Sequence, residues 1–215
     1  MKFSKSEITV LLIVLVSFAV GAYVYPMLPE RVASHWNAQG EVNGTMPRFW
    51  GAFLMPLISV VLLAVFVIVP RVDPKRENIE KFRKYFDAFI IVLFLFFFYL
   101  HGLTLAWNFG YQFAIIPCLL PALAALFFSM GIMLSYAEPN WTIGIRTPWT
   151  LSSETVWRKT HALGGNLLKA AGLLMIAGMF LPGEALYFLF VPVLMAVLIP
   201  VACSYFWYRD EKRQG

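Results

Sequence analysis

Phe86-Asp-Ala-Phe-Ile-Ile-Val-Leu-Phe-Leu-Phe-Phe-Phe-Tyr-Leu-His-Gly-Leu-Thr-Leu-Ala106 carries a single acid at its second position and no Lys or Arg. Wound as a helix at about 1.5 Å per residue, it spans roughly the 30 Å hydrocarbon core of a bilayer. It is too long for a strand and shows no two-residue alternation, so it reads as a membrane-crossing helix. Five further apolar runs of similar length flank it, at 8–25, 50–69, 111–134, 163–181 and 185–208. The expected fold is an all-α membrane protein, one domain over residues 1–215 with six transmembrane helices. The first run follows Lys2 and Lys5 and ends near Ala19, Gly21 and Ala22, as a secretion signal would. Its apolar stretch is longer than the ~7–15 residues of a cleaved signal, which favours a retained anchor.

Composition supports this class. Hydrophobic residues make up 60% of the 215, mean hydropathy is +0.72 and charged residues only 13%, against about a quarter in soluble domains. A soluble single domain is excluded, and so is disorder, which needs low hydrophobicity and high net charge. The net charge of +5 is dispersed in short groups between apolar runs, without the basic stripe that nucleic acid requires. The lipid bilayer is therefore the first partner. Cys118 and Cys203 fall inside apolar runs near opposite faces, so no disulfide is expected between them.

The basic groups set orientation, because positively charged loops stay in the cytoplasm. Lys2 and Lys5, the 71–84 segment, Arg146, Arg158, Lys159 and the C-terminal Arg209, Lys212 and Arg213 place fourteen Lys/Arg on one side. The other side has Arg31 and Arg48, with Lys169 left over near the start of the fifth run. Both termini are expected in the cytoplasm of a cell-membrane protein. Trp36, Trp50, Trp107, Trp141, Trp149, Trp157 and Trp207 fall at or outside the run ends, where indoles anchor at the interface. Pro56, Pro117, Pro121, Pro192 and Pro200 lie within runs and read as kinks that help helices pack. Two connections are long enough to carry function: external 26–49 and internal 135–162.

The external segment, Leu28-Pro-Glu-Arg-Val-Ala-Ser-His-Trp-Asn-Ala-Gln-Gly-Glu-Val-Asn-Gly44, is dense in turn formers and predicts a small structured hairpin. Glu30, His35, Trp36, Asn37, Gly40, Glu41, Asn43, Gly44 and, at a compatible depth, His101 are its candidate ligand-facing residues. Glu30, His35 and His101 are also the one candidate metal set, without the spacing of a known zinc motif.

The internal segment, Asn140-Trp-Thr-Ile-Gly-Ile-Arg-Thr-Pro-Trp-Thr-Leu-Ser-Ser-Glu-Thr-Val-Trp-Arg-Lys-Thr-His-Ala-Leu-Gly-Gly165, holds an N-cap at Ser152 or Ser153 and a short interfacial helix leading into the fifth run. On that helix Glu154, Trp157, Arg158 and His161 share one face at i, i+3, i+4 and i+7. One reading is an exposed Glu154–Arg158 pair worth about 0.3–0.5 kcal/mol with a Trp anchor. The other is a docking surface for an anionic cytoplasmic partner, to which Asn140, Gly144, Arg146, Thr147, Pro148 and Gly164 would contribute.

This internal stretch resembles the signature of the SdpI family of bacterial and archaeal multi-pass membrane proteins. The external stretch is similar to the N-terminal domain of unknown function that accompanies it. The resemblance implies immunity to a secreted killing peptide met on the outer face, and a signalling role in which a transcriptional repressor is held at the membrane. It implies no enzymatic activity and no cofactor. Two alternatives from other classes are a membrane-embedded metal-dependent hydrolase using Glu30, His35 and His101, and a small transporter.

Overall fold

The computed structural model describes residues 4–181 and 183–214; Lys2 lies outside the described residues. Helix α1 (Lys5–Val24) starts at Ser4, whose hydroxyl accepts the Glu7 N–H while the Glu7 carboxylate accepts the Ser4 N–H at 2.9 Å, a reciprocal cap. A single 3₁₀ turn, Tyr25–Met27, leads into strands β1 (Arg31–Trp36) and β2 (Val42–Pro47), which pair antiparallel as the expected outer hairpin. Helices α2 (Arg48–Val72), α3 (Arg76–Lys81), α4 (Arg83–Asn108), α5 (Ile115–Tyr136), α6 (Pro148–Ser152), α7 (Glu154–Gly178) and α8 (Ala185–Gln214) follow.

The helices pack as two groups of three, α1/α2/α4 and α5/α7/α8, joined along α4 and α5. Val10, Val14, Phe82, Phe86, Phe89 and Phe94 fill the inner core of the first group; Leu120, Ala124, Met175 and Ala185 fill the outer part of the second. Pro56 and Pro70 in α2, Pro121 in α5, and Pro192 and Pro200 in α8 are accommodated without ending their helices. Pro117 falls in the first turn of α5, where no intrahelical N–H bond is lost. Cys118 and Cys203 are both free thiols.

Five of these helices are long and apolar enough to cross a membrane: Lys5–Met27 (α1 with its 3₁₀ turn), Arg48–Val72, Arg83–Asn108, Ile115–Tyr136 and Ala185–Gln214. The sixth expected span, 163–181, is not among them. Its residues belong to α7, whose first turns carry Glu154, Arg158, Lys159 and His161, and whose later turns carry Asn166, Lys169 and four glycines. Those glycines serve packing. A Cβ on Gly165 would stand 2.7 Å from the Gly131 carbonyl, and one on Gly172 would stand 2.7 Å from the Ala124 carbonyl, so α5 and α7 meet backbone to backbone. The apolar contact that other helices make through large side chains is made here through missing ones.

Ends of the helices sort into two faces. Glu7, Arg71, Arg83 and Asp87 join the starts of α1 and α4 to the end of α2, and Ser153 donates to Glu211 at 2.7 Å near the end of α8. The hairpin lies with the end of α4 and the starts of α5 and α8 at the opposite face. The basic segments thus share one face.

Candidate functional site

The face bearing the basic segments is organised by Asn140, only 1% exposed. Its Oδ1 accepts the N–H groups of Thr142 at 2.9 Å and Ile143 at 2.6 Å, while its Nδ2 donates to the carbonyls of Glu138 and Ile143, both at 2.8 Å. A loop that leaves a helix with unpaired backbone groups is thereby satisfied from within. Asp73, just past α2 and 3% exposed, grips the same loop: its Oδ2 accepts the Trp141 N–H at 3.0 Å and the Thr142 hydroxyl at 2.6 Å, and its Oδ1 accepts the Lys75 N–H at 2.7 Å. From α3, the Asn78 amide donates to the Pro139 carbonyl at 2.7 Å.

The loop's far half rests on α7. Trp157 is fully buried and donates through Nε1 to the Ala137 carbonyl at 2.7 Å. His161 stacks on it with ring centroids 3.9 Å apart; its Nδ1 donates to the Trp157 carbonyl at 2.8 Å, which leaves Nε2 as the acceptor for the Ile145 N–H at 3.0 Å. Burial pushes the His161 imidazole down to about 4, so at neutral pH the ring is uncharged and can accept that bond. Gly144 has φ +123°, and a Cβ there would collide with His161 Nε2, so both backbone and space call for glycine. Thr147 caps α6 in a reciprocal arrangement with Thr150, places Pro148 in the first turn, and meets Ser204 of α8 at 3.3 Å. A Cβ on Gly164 would stand 2.7 Å from Ile145 Cδ1, so Gly164 lets the loop lie against α7.

The expected single face of Glu154, Trp157, Arg158 and His161 is therefore split. Trp157 and His161 point inward and hold the loop; Glu154 and Arg158 are exposed, and among the described residues they form no ion pair with each other. The cause is periodicity. Each residue turns the helix by about 100°, so 157 and 158 sit at opposite edges of the expected face: 157 and 161 meet the α5–α6 loop while 158, with 154 one turn before it, leans away. Arg146 is exposed and its guanidinium donates to the Trp141 carbonyl.

On the other face the hairpin is closed by Asn37, whose Oδ1 accepts the N–H groups of Gln39 at 3.0 Å and Glu41 at 2.9 Å, and whose Nδ2 donates to the Glu41 carboxylate at 2.9 Å. Gly40 takes φ +82° in this turn. Gly44 lies opposite His35, where a Cβ would come within 2.9 Å of the His35 Cβ, and the His35 ring pairs with Asn43. Asn108, the last residue of α4, docks the sheet: Oδ1 accepts the Ala33 N–H at 2.7 Å and Nδ2 donates to the Ala33 carbonyl at 3.1 Å. Trp36 packs edge-on against Trp107 at 5.7 Å. A groove of about 370 Å³ runs from His35, Trp36 and Asn37 to leucines of α5 and to Leu186 and Phe190 of α8.

His101 does not join this set. It is 1% exposed inside α4 and pairs through Nδ1 with Ser17 of α1 at 3.0 Å, while Glu30 and His35 are exposed on the hairpin. Among the described residues no group of three His, Cys, Asp or Glu side chains is placed to hold a metal. The candidate set Glu30, His35 and His101 is thus not brought together, because His101, about two turns into the bundle from Asn108 at the end of α4, faces α1 and not the hairpin.

Several organising residues were not singled out by sequence. Asp73 precedes Pro74, and an Asp-Pro pair after an apolar helix is a turn signal. Asn108 stands just before Phe109-Gly110, a helix stop. The Glu7–Arg71–Arg83–Asp87 cluster shows locally only as the i, i+4 pair Arg83–Asp87, since Glu7 and Arg71 come from two other helices.

The resemblance read from the two loops is supported by direct comparison. Residues 137–204 match the SdpI/YfhL protein family, and residues 12–60 match the domain of unknown function DUF1648. The chain is 25% identical over 206 residues to the "Immunity protein SdpI" of Bacillus subtilis (strain 168), covering 95% of this chain and 97% of that one. No solved structure matches. The two family matches take in the hairpin with the outer part of α2 and the Asn140 loop with α7, which are the two faces just described.

Proposed function

We propose that this membrane protein is a non-enzymatic immunity and sensor protein. Its outer hairpin meets a secreted antimicrobial peptide, and its inner Asn140–His161 loop presents a surface to a cytoplasmic transcriptional repressor. The observation that carries the reading is end-to-end similarity to an immunity protein, embracing both structured faces. The outer groove supports it: one wall has the polar His35 and Asn37 with the Trp36 indole, and the other is leucine and phenylalanine, a pairing suited to an amphipathic peptide at the lipid surface. On the inner face, exposed Arg146 and Arg158 supply cationic contacts for an acidic partner surface. Both termini face the cytoplasm on this reading, because the basic segments share the inner face.

Expression in a cell sensitive to a membrane-active killing peptide tests the function. Survival should rise with expression, and Trp36→Ala should lower it without reducing the amount of inserted protein. Normal killing of cells that carry well-expressed, inserted protein would overturn the immunity reading. Arg158→Ala should impair the repressor response alone and leave survival intact.

A further inference from the structure

We infer that α2 is a rigid coupling element between the two faces, and that Asp73 is the residue through which it holds the inner loop. The inference concerns the fold's own mechanics and is independent of which ligand binds outside. Its outer end has no linker: β2 ends at Pro47 and α2 begins at Arg48, whose N–H donates to the Glu30 carbonyl at 3.0 Å. One turn later Gly51 accepts Val32 of β1 so closely that a Cβ would collide with it, which fixes the hairpin on the helix. The helix then runs unbroken through Pro56 and Pro70 to its inner end. There the Asp73 N–H completes the last turn on the Val69 carbonyl at 3.2 Å, and its carboxylate takes three donors, two of them from Trp141 and Thr142 of the loop.

The outer end is held by a backbone hydrogen bond and by Val32 against Gly51, and the inner end by the Trp141 N–H and the Thr142 hydroxyl, so a shift or rotation of the hairpin has little slack before it reaches the loop. The buried Asp73 carboxylate makes this end stiff as well, since losing its donors would leave a charge without partners. Asn108 also grips the hairpin, but its helix, α4, begins at Arg83 and is tied there to α1, through Arg83–Glu7 and Ser6–Asp87, not to the 140–143 backbone. Coupling between sites is reciprocal in free energy, so releasing the inner end must loosen the outer one.

Hydrogen–deuterium exchange on the full chain in nanodiscs tests this, reading amides 140–146 and, separately, 32–36 with 42–46. Asp73→Ala should speed exchange in both, with the hairpin change about fivefold. Asn140→Ala, which removes the loop's own bonds to the 142 and 143 N–H groups but keeps the Asp73 bonds to the Trp141 N–H and the Thr142 hydroxyl, should speed exchange at amides 142 and 143, keep amide 141 protected and leave the hairpin at its wild-type rate. If Asp73→Ala frees the loop but leaves the hairpin unchanged, or if Asn140→Ala loosens the hairpin equally, α2 does not couple the faces and the proposal is overturned. Should Asp73→Ala fail to accumulate, Thr142→Val removes one of the two loop bonds and should shift the hairpin in the same direction by less; an unchanged hairpin there overturns the proposal equally.

Discussion

At Gly144 and His161 the inner loop depends on one void and one lone pair. A methyl group at Gly144 would occupy the position of His161 Nε2, and φ +123° is costly for any side chain. Gly144→Ala should therefore destabilise the protein by about 1–3 kcal/mol, read as a lower unfolding midpoint in detergent. The imidazole sets a pH dependence. Its folded-state value is pushed down to about 4 from an ordinary 6.5, so between those values the unfolded chain binds more protons than the folded one. Stability should be level above pH 6.5 and fall as pH drops from 6.5 towards 4, with exchange at the Ile145 amide rising first. His161→Gln, which keeps an acceptor and cannot titrate, should flatten that slope. An unchanged slope in the variant would show that another group is responsible. Sequence reading picked out both residues but assigned His161 to an exposed face, because i, i+3, i+4 spacing identifies neighbours on a helix without saying what lies opposite them.

Among the elements, α7 departs most from expectation. Its run of leucines and alanines was legible as apolar, yet its glycines are what decide its packing, and glycine lowers apparent apolarity where it permits the closest contact. Gly172→Leu should force α5 and α7 apart and cost at least the ~1–3 kcal/mol of an overpacked core, since the Ala124 carbonyl and Phe128 backbone cannot yield like side chains. Gly102→Ala on α4 is the control. Nothing lies within 4 Å of a Cβ there, so the change should be neutral or stabilising by about 0.5–1 kcal/mol from helix propensity alone. Equal behaviour of the two variants in thermal unfolding would remove the close-packed seam. The hairpin, by contrast, was legible in kind: turn formers across 37–44 predicted it, and Asn37 and Gly40 build its turn, while Asn43 and Gly44 lie within β2. Its docking residue, Asn108, was not legible, because a polar residue at a helix end has many partners within reach and only the folded chain selects one.

For the molecule as a whole, the number of times the chain crosses the bilayer decides on which side its C-terminus lies. Among the described residues five helices are apolar enough to cross, and an odd number of crossings would put the termini on opposite sides. The starts of α1, α4 and α7 and the ends of α2, α5 and α8 nevertheless lie on one face, with the basic segments, while the turn between α7 and α8 lies on the hairpin's face. A helix of 25 residues that begins on one face and ends on the other, wedged between α5 and α8, is expected to cross with them, with its polar first turns at the interface and its glycines against protein instead of lipid. Single cysteines in a Cys118→Ser, Cys203→Ser background decide it. An impermeant maleimide on intact cells should label Gln39→Cys on the hairpin and Gly183→Cys in the α7–α8 turn, and should label Glu154→Cys and Lys212→Cys only after permeabilisation. Labelling of Gly183→Cys only after permeabilisation would place both ends of α7 inside, reduce the crossings to five, and move the C-terminus out; protection of Lys212→Cys on intact cells, together with exposure of Gly183→Cys, requires six.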